Sequence, residues 1–321
     1  MTISEIRAAA RRAMGHVCHT PLISSPFLDD MAGRRVWIKA ECLQHTGSFK
    51  YRGAWSAVSA MAAPGGVIAY SSGNHAQAVA LAAQHHGRDA VIVMPKDAPA
   101  IKIANTRALG AEVVLYDRAA GEDRDAIGQS IARDRGLHLI KPYDNAHVIA
   151  GQGTCGLEIA QQAADRGITQ ADVLVCCGGG GLTSGIAMAC AADAPGLRVR
   201  PVEPKGFDDV TRSLATGTPQ HNAQPSGSIC DAIVTPSPGE LTWPILQRLC
   251  GPGLVVTDDD ALRAMALAFT RLKLVLEPGG AVALAAALFY PQHGAGDDVI
   301  CVASGGNVDP SMFQMALDRA V

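Results

Sequence analysis

Unbroken apolar runs alternate with amphipathic stretches along most of this chain, and this alternation limits its fold more than any other feature. Strands are predicted at residues 67–70, 91–94, 113–115 and 137–140. Helices are predicted at residues 74–86 and 123–133, and another helix between them ends at residue 108. Apolar strands without polar alternation are typical of a parallel sheet covered on both faces. The order of strands and helices indicates right-handed βαβ units.

The same pattern restarts in the second half of the chain. Strands are predicted at residues 173–176, 197–202 and 299–303, and helices near 157–164, from 182, at 258–274 and at 281–288. A chain of this length has material for about two domains. We therefore expect two α/β domains with a cleft between them, and a turn signal at residues 141–145 marks a boundary.

Charge and cysteine content narrow the class of partner. Lys and Arg number 27 against 30 Asp and Glu, a formal net charge of −3, which gives no electrostatic reason to expect nucleic acid or a membrane. The amino terminus lacks the layout of a secretory signal. The 9 cysteines are scattered without paired metal-site spacing, so they are expected to be reduced core thiols. We therefore expect small solutes as binding partners and the cytoplasm as the compartment.

Lys50 lies in the crowded stretch QHTGSFKYRGA, residues 44–54. A lone lysine beside an aromatic ring is usually a surface amine with its stem packed down. A lysine used for imine chemistry must instead be held neutral, by desolvation or by nearby cations. Because small and polar residues crowd this amine, Lys50 is the candidate for such chemistry.

The stretch SSGNH, residues 71–75, directly follows a predicted strand and opens a predicted helix. Backbone N–H groups at a helix start, with two hydroxyls and an amide, make a site for a carboxylate. Simple helix capping is the alternative for any one of these residues, but it does not explain the whole cluster.

A run of glycines, called here the glycine loop (Gly178, Gly179, Gly180 and Gly181), lies between a predicted strand and a predicted helix. Glycine allows backbone N–H groups to approach an anion closely, so a phosphate cradle is the natural function. Thr183 stands where the dinucleotide pattern needs its third glycine, so the phosphate belongs to something other than NAD. Ser304 follows the last strand and is expected to face the cleft, unless it is simply a turn residue.

These four stretches, together with HTPL at residues 19–22, resemble in correct order the fold type II pyridoxal-phosphate enzymes. Threonine/serine dehydratases and serine racemase are the most similar members. The resemblance covers almost the whole chain. It implies two open twisted parallel-sheet domains with pyridoxal 5'-phosphate in the cleft, a large domain of residues 1–65 and 144–321, and a small mobile domain of residues 66–143.

The resemblance also implies roles for individual residues. Lys50 holds the cofactor as an imine and removes the substrate Cα proton, with Ser72 as a second acid or base. Implied contacts to the cofactor come from Phe49, Lys50, Asn74, Gly178, Gly179, Gly180, Gly181, Leu182 and Ser304. Implied contacts to the substrate carboxylate come from Ser71, Ser72, Asn74 and His75. Because the ring nitrogen meets a hydroxyl, that of Ser304, rather than a carboxylate, the ring is a weaker electron sink, which disfavours transamination.

Two further assignments follow from the resemblance. Glu203, the carbonyl of Phe207 and Asp209 match the family's divalent-cation site, and such oxygen ligands suit Mg²⁺ or Ca²⁺. The alternative is that these acidic residues are simply solvated. Arg124 aligns with a lid arginine of serine racemase and would meet a second substrate carboxylate, unless it is an ordinary exposed helix arginine.

The implied activity is loss of water from a 3-hydroxy amino acid (L-threonine, L-serine or 3-hydroxyaspartate) to give a 2-oxo acid and ammonia, in a homodimer. Asp231 precedes Ala232 where the family usually has glycine, and residues 238–244 also depart from threonine dehydratases, so the substrate stays open. The chain ends soon after Asn307, so the family's C-terminal regulatory domain is expected to be absent and the role catabolic.

Three other functions remain alternatives. A racemase of serine or aspartate would use Lys50 and Ser72 as opposed bases. A β-replacement enzyme, as in cysteine synthase, carries TSGNT where this chain has SSGNH. A non-catalytic protein would hold a phosphorylated ligand in the glycine loop.

Overall fold

The computed structural model describes residues 1–71, 73–98, 100–117, 119–290 and 296–319. Its helices are α1 (Ile3–Ala13), α2 (Pro26–Ala32), α3 (Lys50–Ser59), α4 (Asn74–His85), α5 (Ala100–Ala108), α6 (Arg124–Arg135), α7 (Ala146–Ala164), α8 (Gly181–Asp193), α9 (Asp209–Thr216), α10 (Trp243–Leu249), α11 (Asp258–Leu267), α12 (Pro278–Phe289) and α13 (Pro310–Leu317). Its strands are β1 (Leu22–Ser24), β2 (Arg35–Lys39), β3 (Val67–Tyr70), β4 (Ala90–Pro95), β5 (Glu112–Tyr116), β6 (His138–Leu139), β7 (Ala171–Cys176), β8 (Leu197–Pro204), β9 (Leu254–Val256) and β10 (Asp298–Val302).

These strands form two sheets that are parallel except at one edge. A six-stranded sheet has the order β1-β2-β10-β7-β8-β9, and a four-stranded sheet has the order β5-β4-β3-β6. Among the strands given above, only the edge strand β1 runs antiparallel, to β2. Every residue of β4, β7 and β10 is buried, as parallel strands covered on both faces require. The predicted α/β class with two parallel sheets is confirmed.

Each sheet draws its strands from one of the two predicted segments. The strands of the four-stranded sheet lie within residues 66–143, and those of the six-stranded sheet lie outside it. The division into a large domain and a small mobile domain stays a prediction. Within the described part of the chain, no helix is both long and apolar enough to cross a membrane.

The central helix α7 begins well before the predicted helix near residues 157–164. Its first half contains glycines at close contacts between helices, which hides the usual apolar periodicity. A Cβ at Gly151 would lie 2.4 Å from the carbonyl oxygen of Arg52 in α3, and one at Gly153 would lie 3.0 Å from that of Gly185 in α8. The sequence pattern there reflects helix packing rather than amphipathicity.

A buried network of charges joins α3 to α7 and to the segment after β2. Arg52 donates from Nε to Glu41 at 2.7 Å and from Nη1 to Glu158 at 2.6 Å. Lys39 also donates to Glu158, at 2.6 Å. Burial opposes ionisation of Glu41, but the Arg52 guanidinium outweighs it and lowers the pKa of that carboxyl. The Glu41–Arg52 pair therefore stays charged inside the protein.

Replacing Arg52 by methionine leaves Glu41 and Glu158 without their main partner in a buried setting. Because an uncompensated buried charge is costly, we expect the free energy of unfolding to fall by about 3–5 kcal/mol in urea denaturation. The control is Arg135→Ala, which breaks the half-exposed pair with Glu112 and should cost about 0–1 kcal/mol. Equal losses in the two variants would contradict the network's structural role.

Candidate active site

Lys50 is the first residue of α3 and is held there by backbone contacts to the loop after β10. Ser48 forms an isolated bridge with Gly305, and the Phe49 N–H donates to the Ser304 carbonyl at 3.0 Å. The Lys50 Nζ donates to the carbonyl of Pro142 at 3.3 Å. Burial lowers the pKa of Lys50 to about 8, and the helix N-terminus also disfavours a cation. An appreciable fraction of this amine is therefore neutral near physiological pH.

The glycine loop connects the end of β7 to the start of α8. Gly180 has φ +89°, a conformation that favours glycine. A Cβ at Gly179 would lie 2.2 Å from the Tyr143 ring, and one at Gly178 would lie 2.9 Å from the Ile233 carbonyl oxygen. Only glycine fits these positions, and the N–H groups at the start of α8 are suited to a phosphate.

One small cavity has both the lysine and the glycine loop in its walls. Its other lining residues include Phe49, Cys176, Leu182 and Tyr143. The Lys50 Nζ also lies 5.0 Å from the centroid of the Phe49 ring. The structure thus brings together the predicted amine and the predicted phosphate cradle, which are far apart in the sequence.

The start of α4 lines a larger cleft, which also has Lys50 in its wall. Asn74 is almost fully fixed, because its Nδ2 donates to Glu277 at 2.6 Å and its Oδ1 accepts from Asn307 at 2.7 Å. The Ser71 hydroxyl accepts from the Gly73 N–H at 3.2 Å. Ser72, the predicted second acid or base, lies outside the described residues.

The ring of His75 has a structural contact of its own. Its Nε2 lies 2.8 Å from the carbonyl oxygen of Ile140, to which it donates. Burial lowers the pKa of His75 to about 3, and the nearby Lys50 charge acts in the same direction. The imidazole is therefore neutral and occupied, so His75 can offer its backbone N–H, rather than its ring, to a carboxylate at the start of α4.

Glu277 is a buried carboxylate in this site that the sequence analysis missed. It precedes α12 and accepts the amide of Asn74. Burial raises the pKa of Glu277 to about 7, although Lys102 and Lys50 partly offset the effect. An acidic residue before a helix-starting proline and an entirely apolar helix was the one available signal.

A larger cleft of about 740 Å³ opens beside Lys50 and contains charges of both signs. Its cationic lining residues are Lys50, Lys102, Arg124 and Lys141, and its acidic lining residues are Asp144, Asp231, Glu240 and Glu277. Lys102 and Lys141 were also missed by the sequence analysis. Arg124 lies at the start of α6 and is exposed to this cleft.

Ser304 is buried beside the cavity, directly after β10. Its hydroxyl accepts a hydrogen bond from the Cys176 thiol, with Sγ 3.1 Å from Oγ. Ser304 was predicted to follow the last strand, and that strand, β10, does end two residues earlier, at Val302. The contact with Cys176 was not expected.

The predicted cation ligands lie at the end of β8 and the start of α9. Glu203 accepts from the backbone of Val210 and Thr211, and from the Thr211 hydroxyl at 2.6 Å. Burial, and then the charge of Asp209, raises the pKa of Glu203 to about 8, and burial raises the pKa of Asp209 to about 6. The Asp209 Oδ2 is buried without a hydrogen-bond partner.

This donor set fits a hard cation, since two buried carboxylates that repel each other are stabilised by a positive ion. Across the described residues, side chains of His, Cys, Asp and Glu alone form no group of three or more that could hold a metal ion. Any site here therefore needs further oxygen ligands, such as the carbonyl of Phe207 or water.

Comparison with known proteins gives a consistent result. The sequence profile described as pyridoxal-phosphate dependent enzyme matches residues 13–305. An L-threo-3-hydroxyaspartate ammonia-lyase from Pseudomonas sp is 42% identical over 316 residues, which cover 98% of this chain and 97% of that protein.

Two solved structures superpose over nearly the whole chain. A threonine deaminase from the organism abbreviated T.th. has a TM-score of 0.91 and 43% identity, covering 96% of this chain and 99% of that one. Maize serine racemase has a TM-score of 0.91 and 36% identity, covering 99% and 97%. With the lysine, the glycine loop and both sheets in place, the chain belongs to the family of pyridoxal-phosphate dependent enzymes.

Proposed function

We propose that this protein is a pyridoxal-phosphate-dependent ammonia-lyase that removes water from a 3-hydroxy amino acid, with L-threo-3-hydroxyaspartate as its substrate. The observation that carries the activity is the Lys50 amine, part of it neutral, in one cavity with the glycine loop. The protein from Pseudomonas sp that is 42% identical to this chain is named for this substrate.

The residues of the cavity fit the cofactor. A Cβ at any of the four loop glycines would lie 3.0 Å or less from a neighbouring residue, so only a bare backbone fits there. The N–H groups of the loop, with that of Leu182, would hold the phosphate. Phe49 would pack against the ring and Ser304 would bind its nitrogen. Asn74 uses one Nδ2 hydrogen for Glu277, so its second hydrogen is available for the ring's 3'-oxygen. When bound, the cofactor stabilises negative charge at the substrate Cα.

Lys50 performs the proton transfer in this proposal. Burial keeps the pKa of Lys50 at about 8, close to the working pH, which is the condition for an efficient general base. Nζ takes the Cα proton and can return it to the departing 3-hydroxyl, which leaves as water. The unsaturated amino acid then hydrolyses to a 2-oxo acid and ammonia.

The start of α4 orients the substrate. The N–H groups of its first turn, with the Ser71 hydroxyl, would hold the α-carboxylate, as helix N-termini hold anions. The His75 imidazole is neutral and bound to Ile140, so it does not compete for a proton during the reaction. Ser72 would act on the opposite face of the substrate from Lys50.

The cations of the cleft favour a substrate with a second carboxylate. Lys102, Arg124 and Lys141 line the cleft from the four-stranded-sheet side. The methyl group of threonine and the hydrogen of serine offer nothing for these charges to bind, whereas the side-chain carboxylate of 3-hydroxyaspartate does.

Racemisation is the second candidate, because the maize serine racemase structure superposes on 99% of this chain. Reprotonation of Cα from the Ser72 side would give the opposite enantiomer. Chiral chromatography of the remaining amino acid, run beside the 2-oxo acid assay, measures the ratio of the two reactions.

We also propose a bound divalent cation, a homodimer and a location in the cytoplasm. Glu203, the Phe207 carbonyl and Asp209 would bind Mg²⁺ or Ca²⁺. A homodimer would cover exposed aromatic rings such as Phe27, which is 59% exposed with the Arg271 guanidinium 4.6 Å from its centroid. All 9 cysteines are free thiols, which supports a reducing compartment such as the cytoplasm.

Replacing Lys50 by alanine removes both the amine that binds the cofactor and the base. We expect the purified variant to lose the visible absorbance of the bound cofactor and at least about 1,000-fold in kcat, as loss of a base and of covalent binding together imply. Wild-type absorbance retained in the Lys50→Ala protein would contradict the assignment. The 2-oxo acid assay across L-threonine, L-serine and the 3-hydroxyaspartate isomers completes the test.

Replacing Lys102 or Arg124 by alanine should affect one substrate selectively. We expect kcat/KM for 3-hydroxyaspartate to fall about 10- to 100-fold, the value of a hydrogen bond between charged groups, while kcat/KM for threonine changes less than about threefold. Arg133→Ala is the control, since Arg133 is an exposed arginine near the end of the same helix as Arg124. An equal loss for both substrates would rule out recognition of the second carboxylate.

Removing divalent cations should destabilise the protein. We expect EDTA to lower the thermal midpoint and Mg²⁺ to restore it, since a ligand at 100 times its Kd stabilises by about 2.7 kcal/mol. Asp209→Asn should abolish the response to Mg²⁺. Asp208→Asn, which removes the neighbouring carboxylate paired with Arg212, should keep it. An unchanged midpoint in EDTA would exclude a stabilising cation.

A further inference from the structure

Cys176 is a thiol in the wall of the cavity that the proposed mechanism does not yet use. It is the last residue of β7 and lies two residues before the glycine loop. It lines the same small cavity as Lys50. Its position therefore joins the phosphate cradle to the reactive amine.

The pairing of two parallel strands brings this thiol to Ser304. Strand β7 lies beside β10, with Leu174 opposite Cys301, so the residues that follow both strands meet at one edge of the sheet. The Cys176 Sγ lies 3.1 Å from the Ser304 Oγ, and both residues are 3% exposed. Solvent does not compete for this hydrogen bond.

The direction of the hydrogen bond follows from the state of the thiol. Burial raises the pKa of Cys176 to about 11, so the sulfur keeps its hydrogen at neutral pH and donates it. A serine hydroxyl has one hydrogen and two lone pairs. When one lone pair accepts from Cys176, the hydroxyl hydrogen must point to a different acceptor.

We propose that Cys176 is a positioning residue: by donating to the Ser304 hydroxyl oxygen, it directs the Ser304 hydrogen toward the ring nitrogen of pyridoxal phosphate. This inference rests on the proposed role of Ser304 as the partner of that nitrogen. A hydroxyl held as a donor gives the ring nitrogen a hydrogen bond without a full proton. The thiol adds no charge of its own, so it does not disturb the balance around Lys50.

The first test measures the affinity of the apoenzyme for pyridoxal phosphate. Cys176→Ala removes the donor, and we expect the Kd to rise about 2- to 10-fold, the range for one net hydrogen bond. Cys176→Ser keeps a donor hydrogen and should stay within about twofold of wild type. Cys301→Ala removes another buried thiol, on the strand that leads to Ser304, and should leave the Kd unchanged.

The second test asks whether Cys176 acts through Ser304. In a double-mutant cycle, Cys176→Ala should have no further effect on the Kd when Ser304 is already alanine. In the loaded Cys176→Ala enzyme, the pH dependence of the visible absorption should shift, and kcat should fall about 2- to 10-fold with KM for the amino acid unchanged, because neither residue is placed on the substrate.

The outcomes separate the two levels of the proposal. Additive effects in the cycle would overturn the positioning role, since Cys176 would then act independently of Ser304. A Cys176→Ser variant that binds pyridoxal phosphate as weakly as Cys176→Ala would also overturn it. The loss of affinity would then depend on the volume of the side chain and not on its hydrogen-bond donation. Failure of the wild-type apoenzyme to bind pyridoxal phosphate would instead overturn the cofactor assignment on which the proposal rests.

Discussion

The buried charge network around Arg52 fixes the part of the molecule from which the site is built. Arg52 lies two residues after Lys50, in the first turn of the same helix, and its guanidinium is held by Glu41 and Glu158. Because a planar guanidinium bound on several edges has one orientation, the first turn of α3 cannot rotate freely. The direction of the Lys50 side chain is thereby set by contacts on the opposite side of the helix, away from the chemistry.

The loop after β10 is the second constraint on the same lysine. Gly305 has no side chain, and a Cβ there would lie 2.1 Å from Glu277 and 3.2 Å from the Ser48 side chain. This close approach lets one short loop bind the segment before Lys50, the backbone N–H of Glu277 and the side-chain amide of Asn74 through Asn307. Loss of that approach would separate the segment before Lys50 from Asn74 and Glu277.

Continuous apolar strands made much of the fold predictable. Strand β3 was predicted at its observed bounds, and β7 and β10 were predicted to within two residues, because burial on both faces leaves an unbroken apolar run. The strands β1 and β2 were not predicted. Their residues are fewer or include the charged Arg35 and Lys39, and the pairing of β1 with β2 depends on contacts that local pattern does not record.

The site was predictable only where a motif is local. The lysine stretch, the helix start at residue 74 and the glycine loop each have a short signature, and the structure brings the lysine and the loop to one cavity. Their individual roles stay predictions, and Ser72 lies outside the described residues. Glu277 was missed because its hydrogen-bond partner Asn74 is 203 residues away, and Cys176 because its partner Ser304 is 128 residues away. Neither partnership has any signature in the neighbouring sequence.

These tertiary contacts give the site an electrostatic property that no single motif contains. Burial lowers the pKa of Lys50 to about 8 and raises the pKa of Glu277 to about 7, so both groups are pushed toward their neutral forms. Lys50 and Glu277 therefore contribute opposite charges that are only partial near neutral pH, before any ligand enters. The proposed cofactor phosphate and the proposed dicarboxylate substrate would bring several negative charges, which helix N-termini and the cations that line the cleft would meet.

These separate requirements explain why the other cations line the wider cleft, while the lysine whose pKa is lowered lies in the small cavity. In the proposed reaction, a permanently charged lysine beside the reacting carbon could not accept a proton, whereas Lys102, Arg124 and Lys141 line the wider cleft, where Arg124 and Lys141 are exposed. Substrate selection and proton transfer thus require opposite environments for the same kind of side chain. The fold supplies both environments. The glycine loop and the start of α3 share the small cavity, and α5 and α6, beside the four-stranded sheet, bring Lys102 and Arg124 to the wider cleft.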